Sequence, residues 1–107
     1  MRVLLVDDDY HCAEQVSSLA RREGIEVRVL NNLTEAVRTL MADEYDLLLL
    51  DMHLPGLNGA TALPLLNEVA PRTPVILLTS QPSDASIHQL FQAGAFRVLE
   101  KIGRAHV

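Results

Sequence analysis

Short apolar runs alternate along this chain with longer stretches in which apolar residues recur at helical spacing. The runs at residues 3–6, 25–30, 47–50, 74–78 and 96–100 predict five strands. The stretches between them predict four helices, which cover residues 10–23, a segment that begins at Asn32 or Thr34, residues 60–70, and a segment from Ser83 to about Ala93. This alternation predicts an α/β fold in which helices cover both faces of a parallel sheet.

Local patterns add detail to this fold. Four consecutive leucines at residues 47–50 predict a strand that is buried on both faces. Pro55 and Gly56 predict a tight turn, because proline presets φ at the second position and glycine accepts a positive φ at the third. The first helix should end at Gly24. It should pack on the sheet through an apolar stripe of Ala13, Val16, Leu19 and Ala20.

The composition fits one small globular domain. The chain has 107 residues, 49% of them hydrophobic and 21% charged. Acidic residues outnumber basic ones by 14 to 9, and this excess argues against a nucleic-acid surface. No run approaches the roughly 18 apolar residues of a membrane span, the start of the chain does not resemble a signal peptide, and the single Cys12 fits a small apolar helix position. We therefore expect a cytoplasmic protein that binds neither nucleic acid nor membrane.

The polar residues that follow the predicted strands are the candidates for a functional site. In open α/β sheets, ligands bind beyond the carboxyl ends of the strands. The residues found there are Asp7 and Asp8 after the first strand, Asp51 after the third, Thr79 and Ser80 after the fourth, and Lys101, the only lysine, after the fifth. Each residue alone fits a solvated loop, a cap or a surface position, so the prediction rests on their combination at one edge.

The chemistry of this set points to phosphoryl transfer. Three carboxylates at neighbouring strand ends repel one another, so they either raise a carboxyl pKa or bind a cation. Oxygen ligands suit Mg²⁺, which keeps waters that a phosphate can replace. A carboxylate beside such a metal can form an acyl phosphate. Lys101 supplies positive charge, while Thr79 and the backbone after Asp51 supply hydrogen-bond donors for the phosphoryl oxygens.

The same segments resemble the receiver domains of two-component response regulators. Residues 6–9 (Val-Asp-Asp-Asp) are similar to the acidic pair after strand one of that family. Residues 51–59 (Asp-Met-His-Leu-Pro-Gly-Leu-Asn-Gly) are similar to the run that begins at the phosphoacceptor. Leu78-Thr79-Ser80, and Gly94-Ala95 followed by Lys101, resemble two further family motifs. The resemblance covers residues 1–102, which we take as the domain, and leaves residues 103–107 as a short tail.

The resemblance implies a flavodoxin-like, doubly wound, five-stranded parallel sheet of order 2-1-3-4-5. It also implies a role for each site residue. Asp51 is the phosphoacceptor, and Asp8, Asp51 and the backbone carbonyl of His53 ligate Mg²⁺ or Mn²⁺, with Asp7 acting through a water. Thr79 and Lys101 contact the phosphoryl group, and Lys101 pairs with Asp51 before phosphorylation. Asp9 is expected to be solvated or to lie at a helix start.

Two further positions are expected to tune the lifetime of the phosphoryl group. The side chains of His53 and Gln81 correspond to family positions that flank the path of the attacking water. The alternative is that both are exposed loop residues without kinetic effect.

The chain departs from the family pattern after the fourth strand. Ile102 replaces the usual proline after the lysine, so a cis peptide there is not expected. Val98 stands where the family has an inward-rotating Tyr or Phe, and Phe96, one pair further away, is the remaining aromatic candidate for the switch. Only six residues follow Lys101, too few for the fifth helix of the family. We expect a truncated chain or an altered tail rather than a naturally short form, with an apolar patch left exposed that favours self-association.

The function that follows is a phosphoacceptor switch module, which takes its phosphoryl group from the phosphohistidine of a sensor histidine kinase or of a histidine phosphotransfer protein. It would not be an enzyme beyond its own phosphorylation and dephosphorylation. The alternative is a non-switching interaction or dimerisation module. Other classes fit less well, because His53 replaces the second aspartate of aspartyl-phosphate phosphatases, acids occupy the place of a flavin phosphate loop, and the chain has no nucleotide-binding Gly-rich loop.

Overall fold

The computed structural model describes residues 1–80 and 83–101. Five strands alternate with four helices in this part of the chain, in the order β1 (Arg2–Val6), α1 (Tyr10–Arg22), β2 (Glu26–Leu30), α2 (Leu33–Ala42), β3 (Leu47–Asp51), α3 (Gly59–Val69), β4 (Val75–Thr79), α4 (Asp84–Ala93) and β5 (Arg97–Glu100). All strand pairs are parallel, and the sheet order is β2-β1-β3-β4-β5. The α/β class and the strand order confirm the predicted fold, and the residues after Lys101 lie outside the described part of the chain.

The first helix has well-defined ends. Asp9 caps its start, and its side chain accepts hydrogen bonds from the backbone N–H groups of His11 and Cys12 at 3.0 and 3.2 Å. At the other end Gly24 adopts φ 73°, and the N–H of Ile25 donates to the carbonyl of Ala20 at 2.9 Å. Because Ile25 is used in this cap, β2 begins one residue later than predicted, at Glu26.

The second helix begins after Asn32, which settles the choice left open by the sequence. The Asn32 side chain accepts a hydrogen bond from the N–H of Glu35 at 2.8 Å, and its backbone is extended, with φ −154° and ψ 158°. This is the geometry of an N-cap. Thr34 lies inside the helix.

A tight turn follows β3, as predicted from Pro55 and Gly56. The N–H of Leu57 donates to the carbonyl of Leu54 at 3.0 Å, and Gly56 has φ 75° at the third position. These features define a type II turn. The turn brings the chain back across the edge of the sheet before α3 begins at Gly59.

The two faces of the sheet are covered unequally. On the first face, α2, α3 and α4 pack against β-strand side chains that are almost fully buried: Leu4, Val6, Leu48, Leu50, Val75 and Leu77. Burial of each such side chain stabilises the fold by about 1.5–3 kcal/mol. On the second face, which carries Leu5, Leu49 and Ile76 in register, α1 is the only helix among the described residues.

Two predictions about burial are therefore wrong. Leu47 and Leu49 are only half-buried, so β3 is fully covered on one face and not on both. In the predicted stripe of α1, Ala13 is buried but Leu19 is 62% exposed. The cause is the same in both cases, because no described helix lies beside α1 over β4 and β5. Leu99 of β5 is 48% exposed for the same reason.

Candidate functional site

Three aspartates meet at the carboxyl edge of the sheet. Asp7 follows β1 and Asp51 ends β3, and these strands are neighbours through the pairing of Val6 with Leu50. Asp7 and Asp51 are 3% and 2% exposed, whereas Asp8 is exposed to solvent. Carboxylate oxygens of all three lie within 4.8 Å of one another. Hard oxygen ligands at this spacing can hold a divalent cation.

Lys101, the only lysine of the chain, lies beside this cluster. Its ammonium nitrogen Nζ lies 3.1 Å from Oδ2 of Asp7 and 3.5 Å from Oδ2 of Asp51. The expected pairing with Asp51 is present, but the shorter contact is with Asp7, which the sequence interpretation did not assign to it. The Lys101 ammonium offsets only part of the negative charge that the three carboxylates can carry, and a divalent cation would offset the rest.

Burial and charge shift the pKa of two of these groups. Burial raises the pKa of Asp51 above its ordinary value; the backbone N–H of His53 opposes this effect, and the Asp7 carboxylate adds to it. For Lys101, burial lowers the pKa, but the hydrogen bond to Asp7 and the charge of Asp51 outweigh it, so the net pKa is raised. Lys101 is therefore positively charged at neutral pH.

Backbone and side-chain donors hold the carboxylates in position. Oδ1 of Asp7 accepts the N–H of Asp9 at 2.9 Å, and Oδ1 of Asp51 accepts the N–H of His53 at 3.0 Å. The backbone N–H groups after Asp51 were expected to donate to phosphoryl oxygens; here the N–H of His53 donates to Asp51 itself. Because both Asp7 oxygens already accept hydrogen bonds, the exposed Asp8 is the acid most open to a metal.

Cys12 lies near the site but lacks the properties of a nucleophile. Burial, followed by a hydrogen bond to Asp7, raises the pKa of its thiol to about 11. The thiol is thus protonated at neutral pH, and only the thiolate is reactive. This agrees with the structural role expected for Cys12.

Thr79 ends β4 and is buried, as its predicted role requires. Its hydroxyl Oγ1 lies 3.3 Å from Nε2 of His53. The same ring nitrogen accepts the backbone N–H of Ser80 at 3.2 Å and lies 3.1 Å from Oγ of Ser80. The sequence interpretation placed His53 beside a water path and missed this contact. The sequence offered one signal for this contact. His53 lies two positions after β3, Ser80 lies one position after β4, and these two strands are neighbours in the sheet.

The remaining candidate positions are more distant or lie outside the described residues. Val98 is half-buried and packs against the core of the first face. Phe96 is 55% exposed and precedes β5, with the guanidinium carbon of Arg97 5.0 Å from its ring centre. Phe96 therefore points away from the core in this structure. Gln81, Ile102 and the tail at residues 103–107 lie outside the described residues.

A groove of about 480 Å³ joins the site to the uncovered part of the second face. Asp8, Asp51 and Lys101 line its polar end, and Val16, Leu19 and Leu78 line its apolar part. Its size is within the range of ligand-binding clefts. The carboxylate cluster is thus open to solvent and to small donors from the side of α1.

Comparison with known proteins assigns this arrangement to a family. The family model of the response regulator receiver domain matches residues 3–106. The chain belongs to the response regulator receiver domain family. Among curated relatives, it is 40% identical to a CpxR homolog of Haemophilus influenzae, over 78% of this chain and 36% of that protein. It is 32% identical to transcription factor SKN7 of Candida albicans, over 92% of this chain and 18% of that protein.

Solved structures of response regulators and receiver domains share the fold, and some of them contain bound ions. A response regulator of Burkholderia pseudomallei, with a phosphorylated aspartic acid, calcium and citrate, matches with a TM-score of 0.86, 26% identity and coverage of 96% of this chain and 61% of that one. The receiver domain of sensor kinase PA1611 of Pseudomonas aeruginosa, with magnesium in its active site cleft, matches with a TM-score of 0.81, 28% identity and coverage of 96% and 86%. The beryllofluoride-activated NtrC4 receiver dimer matches with a TM-score of 0.88, 26% identity and coverage of 95% and 84%.

This receiver domain spans less than half the length of the curated relatives it matches. The carboxyl edge of its sheet brings together Asp7, Asp8, Asp51 and Lys101, and Thr79 ends β4 at the same edge. None of the helices in the described ranges is both long and apolar enough to cross a bilayer.

Proposed function

We propose that this receiver domain accepts a phosphoryl group on Asp51 from the phosphohistidine of a sensor histidine kinase or of a histidine phosphotransfer protein. The observation that carries the proposal is the position of the Asp51 carboxylate, buried at a strand end with Asp7, Asp8 and Lys101 around it. The phosphorylated aspartic acid of the Burkholderia relative supports it. A cytoplasmic location is part of the proposal.

The residues at the site fit Mg²⁺ or Mn²⁺. Asp8 and Asp51 would ligate the metal directly, with the backbone carbonyl of His53, and Asp7 would act through a water. Magnesium in the PA1611 receiver and calcium in the Burkholderia protein support a divalent ion. When bound, the metal would screen the negative charge that the carboxylates and the phosphoryl oxygens carry together.

The protein groups have distinct roles in the transfer. A carboxylate oxygen of Asp51 attacks phosphorus, the P–N bond to the donor imidazole breaks, and the departing ring nitrogen keeps the bonding electron pair. Lys101 and the Thr79 hydroxyl stabilise the charge on the transferred oxygens. Water later hydrolyses the acyl phosphate, which restores the Asp51 carboxylate. The domain modifies only itself, so it is not an enzyme that acts on an outside substrate.

The lifetime of the acyl phosphate is part of the same proposal. His53 and Gln81 would control the approach of the hydrolytic water. His53 is exposed and projects over the end of β4, where its ring contacts Thr79 and Ser80. We expect substitution of either residue to change the half-life of the phosphorylated form. An unchanged half-life in both variants would remove this role.

The direct test uses the intact chain, Mg²⁺ and a small acyl phosphate or amidophosphate donor, with intact-protein mass spectrometry. We expect one added phosphoryl group, and none in Asp51→Asn. Glu14→Gln is the matched control. It removes an exposed acid of α1 that is not part of the carboxylate cluster, and it should accept the group as the wild type does. No addition with any donor would contradict phosphoacceptance.

A second function is favoured by the uncovered part of the second face. Leu19 and Leu99 are 62% and 48% exposed, and such apolar surface favours association with a partner chain. The NtrC4 receiver is described as a dimer, which supports self-association through a receiver surface. Light scattering over a range of concentrations tests this function, and a monomer throughout would count against it.

A further inference from the structure

The imidazole of His53 crosses from the loop after β3 to the loop after β4. Three polar atoms of the second loop lie 3.1–3.3 Å from its Nε2, namely Thr79 Oγ1, Ser80 Oγ and the backbone nitrogen of Ser80. A backbone N–H can only donate, so Nε2 is the acceptor in the bond from Ser80. In this arrangement Nε2 faces the donors of Ser80 with its lone pair.

The donors that converge on this nitrogen form an oxyanion-type site. Two hydroxyls and one backbone N–H surround a single ring nitrogen, and groups of these kinds can also stabilise a negatively charged oxygen. The site lies at the end of β4, and β4 pairs with β3 so that Asp51 is opposite Leu78, next to Thr79. A phosphoryl group on Asp51 would bring its oxygens to these same donors.

The backbone and the ring of His53 both bind groups whose contacts phosphorylation of Asp51 would change. Its backbone N–H donates to Oδ1 of Asp51 at 3.0 Å, and its ring accepts from Ser80. The side chain is exposed, so the ring can turn into solvent without moving the core. We propose that Nε2 of His53 occupies the acceptor position that a phosphoryl oxygen on Asp51 would take, and that phosphorylation expels the imidazole.

This inference rests on the proposed function and adds an internal competitor to it. In the unmodified chain, the His53 ring contacts the Thr79 and Ser80 hydroxyls and accepts the backbone N–H of Ser80. The incoming phosphoryl group must replace that contact, so the ring opposes the phosphorylated arrangement. Removal of the ring should therefore strengthen the binding of a phosphoryl mimic by about fivefold, the effect of roughly one net hydrogen bond.

The test has two measurements on the full chain. The first is ¹⁵N NMR of the imidazoles in the metal-free protein, where Nε2 of His53 should show the signal of an unprotonated acceptor. Addition of Mg²⁺ and beryllofluoride, the mimic used with the NtrC4 receiver, should abolish the preference for this tautomer. A protonated Nε2 in the metal-free protein, or no change on addition, would overturn the inference.

The second measurement is the affinity for beryllofluoride at saturating Mg²⁺. His53→Ala should bind more tightly than the wild type, whereas His88→Ala, which removes an exposed histidine of α4, should bind equally. Equal affinities of His53→Ala and the wild type would overturn the competition while leaving phosphoacceptance intact. If neither binds beryllofluoride and neither is phosphorylated in the mass assay, the proposed function itself fails and the competition fails with it.

Discussion

The ammonium of Lys101 lies 3.1 Å from the carboxylate of Asp7, whose side chain is fully buried. The Lys101 side chain is itself only 15% exposed, so the ion pair is largely shielded from solvent. A buried charge pair of this kind is sensitive to the loss of either partner, because the remaining charge is left without compensation. The lysine thus supports the metal-free site as well as serving the proposed phosphoryl transfer.

We expect Lys101→Met to destabilise the metal-free domain by about 3 kcal/mol, because Asp7 and Asp51 lose the nearby cation. Urea unfolding monitored by circular dichroism measures the change. Lys101→Arg keeps the charge and should lose much less. Equal losses in the two variants would show that the size of the side chain, rather than its charge, is the cause.

We expect Asp51→Asn to stabilise the metal-free domain at neutral pH. Burial raises the pKa of Asp51 in the folded state, so the folded protein binds the proton more tightly than the unfolded chain does. Stability from this group is full below the unfolded pKa of about 4 and falls as pH rises through the folded pKa. The gain in Asp51→Asn should therefore shrink toward pH 3 in urea titrations. A gain that is constant with pH would contradict the role of ionisation.

We expect Mg²⁺ to stabilise the wild type, by about 2.7 kcal/mol at one hundred times the dissociation constant. Asp8→Asn should abolish most of this gain and leave the metal-free stability nearly unchanged, because Asp8 is exposed. Thermal unfolding with and without Mg²⁺ measures both effects. Glu35→Gln, an exposed acid in α2, is the control and should retain the full gain. Retention of the gain in Asp8→Asn would exclude Asp8 as a ligand.

We expect Leu19→Glu to change the unfolding free energy of the monomer by less than about 0.5 kcal/mol, the range of exposed substitutions. If the uncovered part of the second face mediates self-association, the same change should weaken the dimer at least tenfold. Analytical ultracentrifugation measures the association. Met41→Glu, at an exposed position near the end of α2, is the control and should leave association unaltered.

Local sequence patterns were enough to predict most of the fold. The Pro55-Gly56 turn, the Gly24 helix end and the alternation of strands follow from short-range chemistry, and the structure has all three. The cap at Asn32 was one of two local options, and only the conformation of the chain decided between them. The strand order came from the family resemblance and is confirmed by the pairing of the strands.

Burial and contacts between loops were harder to predict. The leucines at residues 47–50 are equally apolar, and their sequence does not show that one face of the strand has less cover than the other. The contact of His53 with Ser80 joins two loops that are 27 positions apart in the chain, and it depends on a side-chain rotation that no local pattern specifies. The preference of Lys101 for Asp7 over Asp51 is likewise a matter of tenths of an ångström.

The backbone of Lys101 is also joined to that of Thr79, whose carbonyl accepts its N–H at 2.7 Å. The two residues proposed to contact the phosphoryl group are thus joined directly by a backbone hydrogen bond at the ends of β4 and β5. A displacement of Thr79 would therefore act on the end of β5, which is an edge strand of the sheet. If Asp51 is phosphorylated as proposed, this backbone hydrogen bond and the β4–β5 pairing beside it would connect the buried carboxylate to an edge of the sheet.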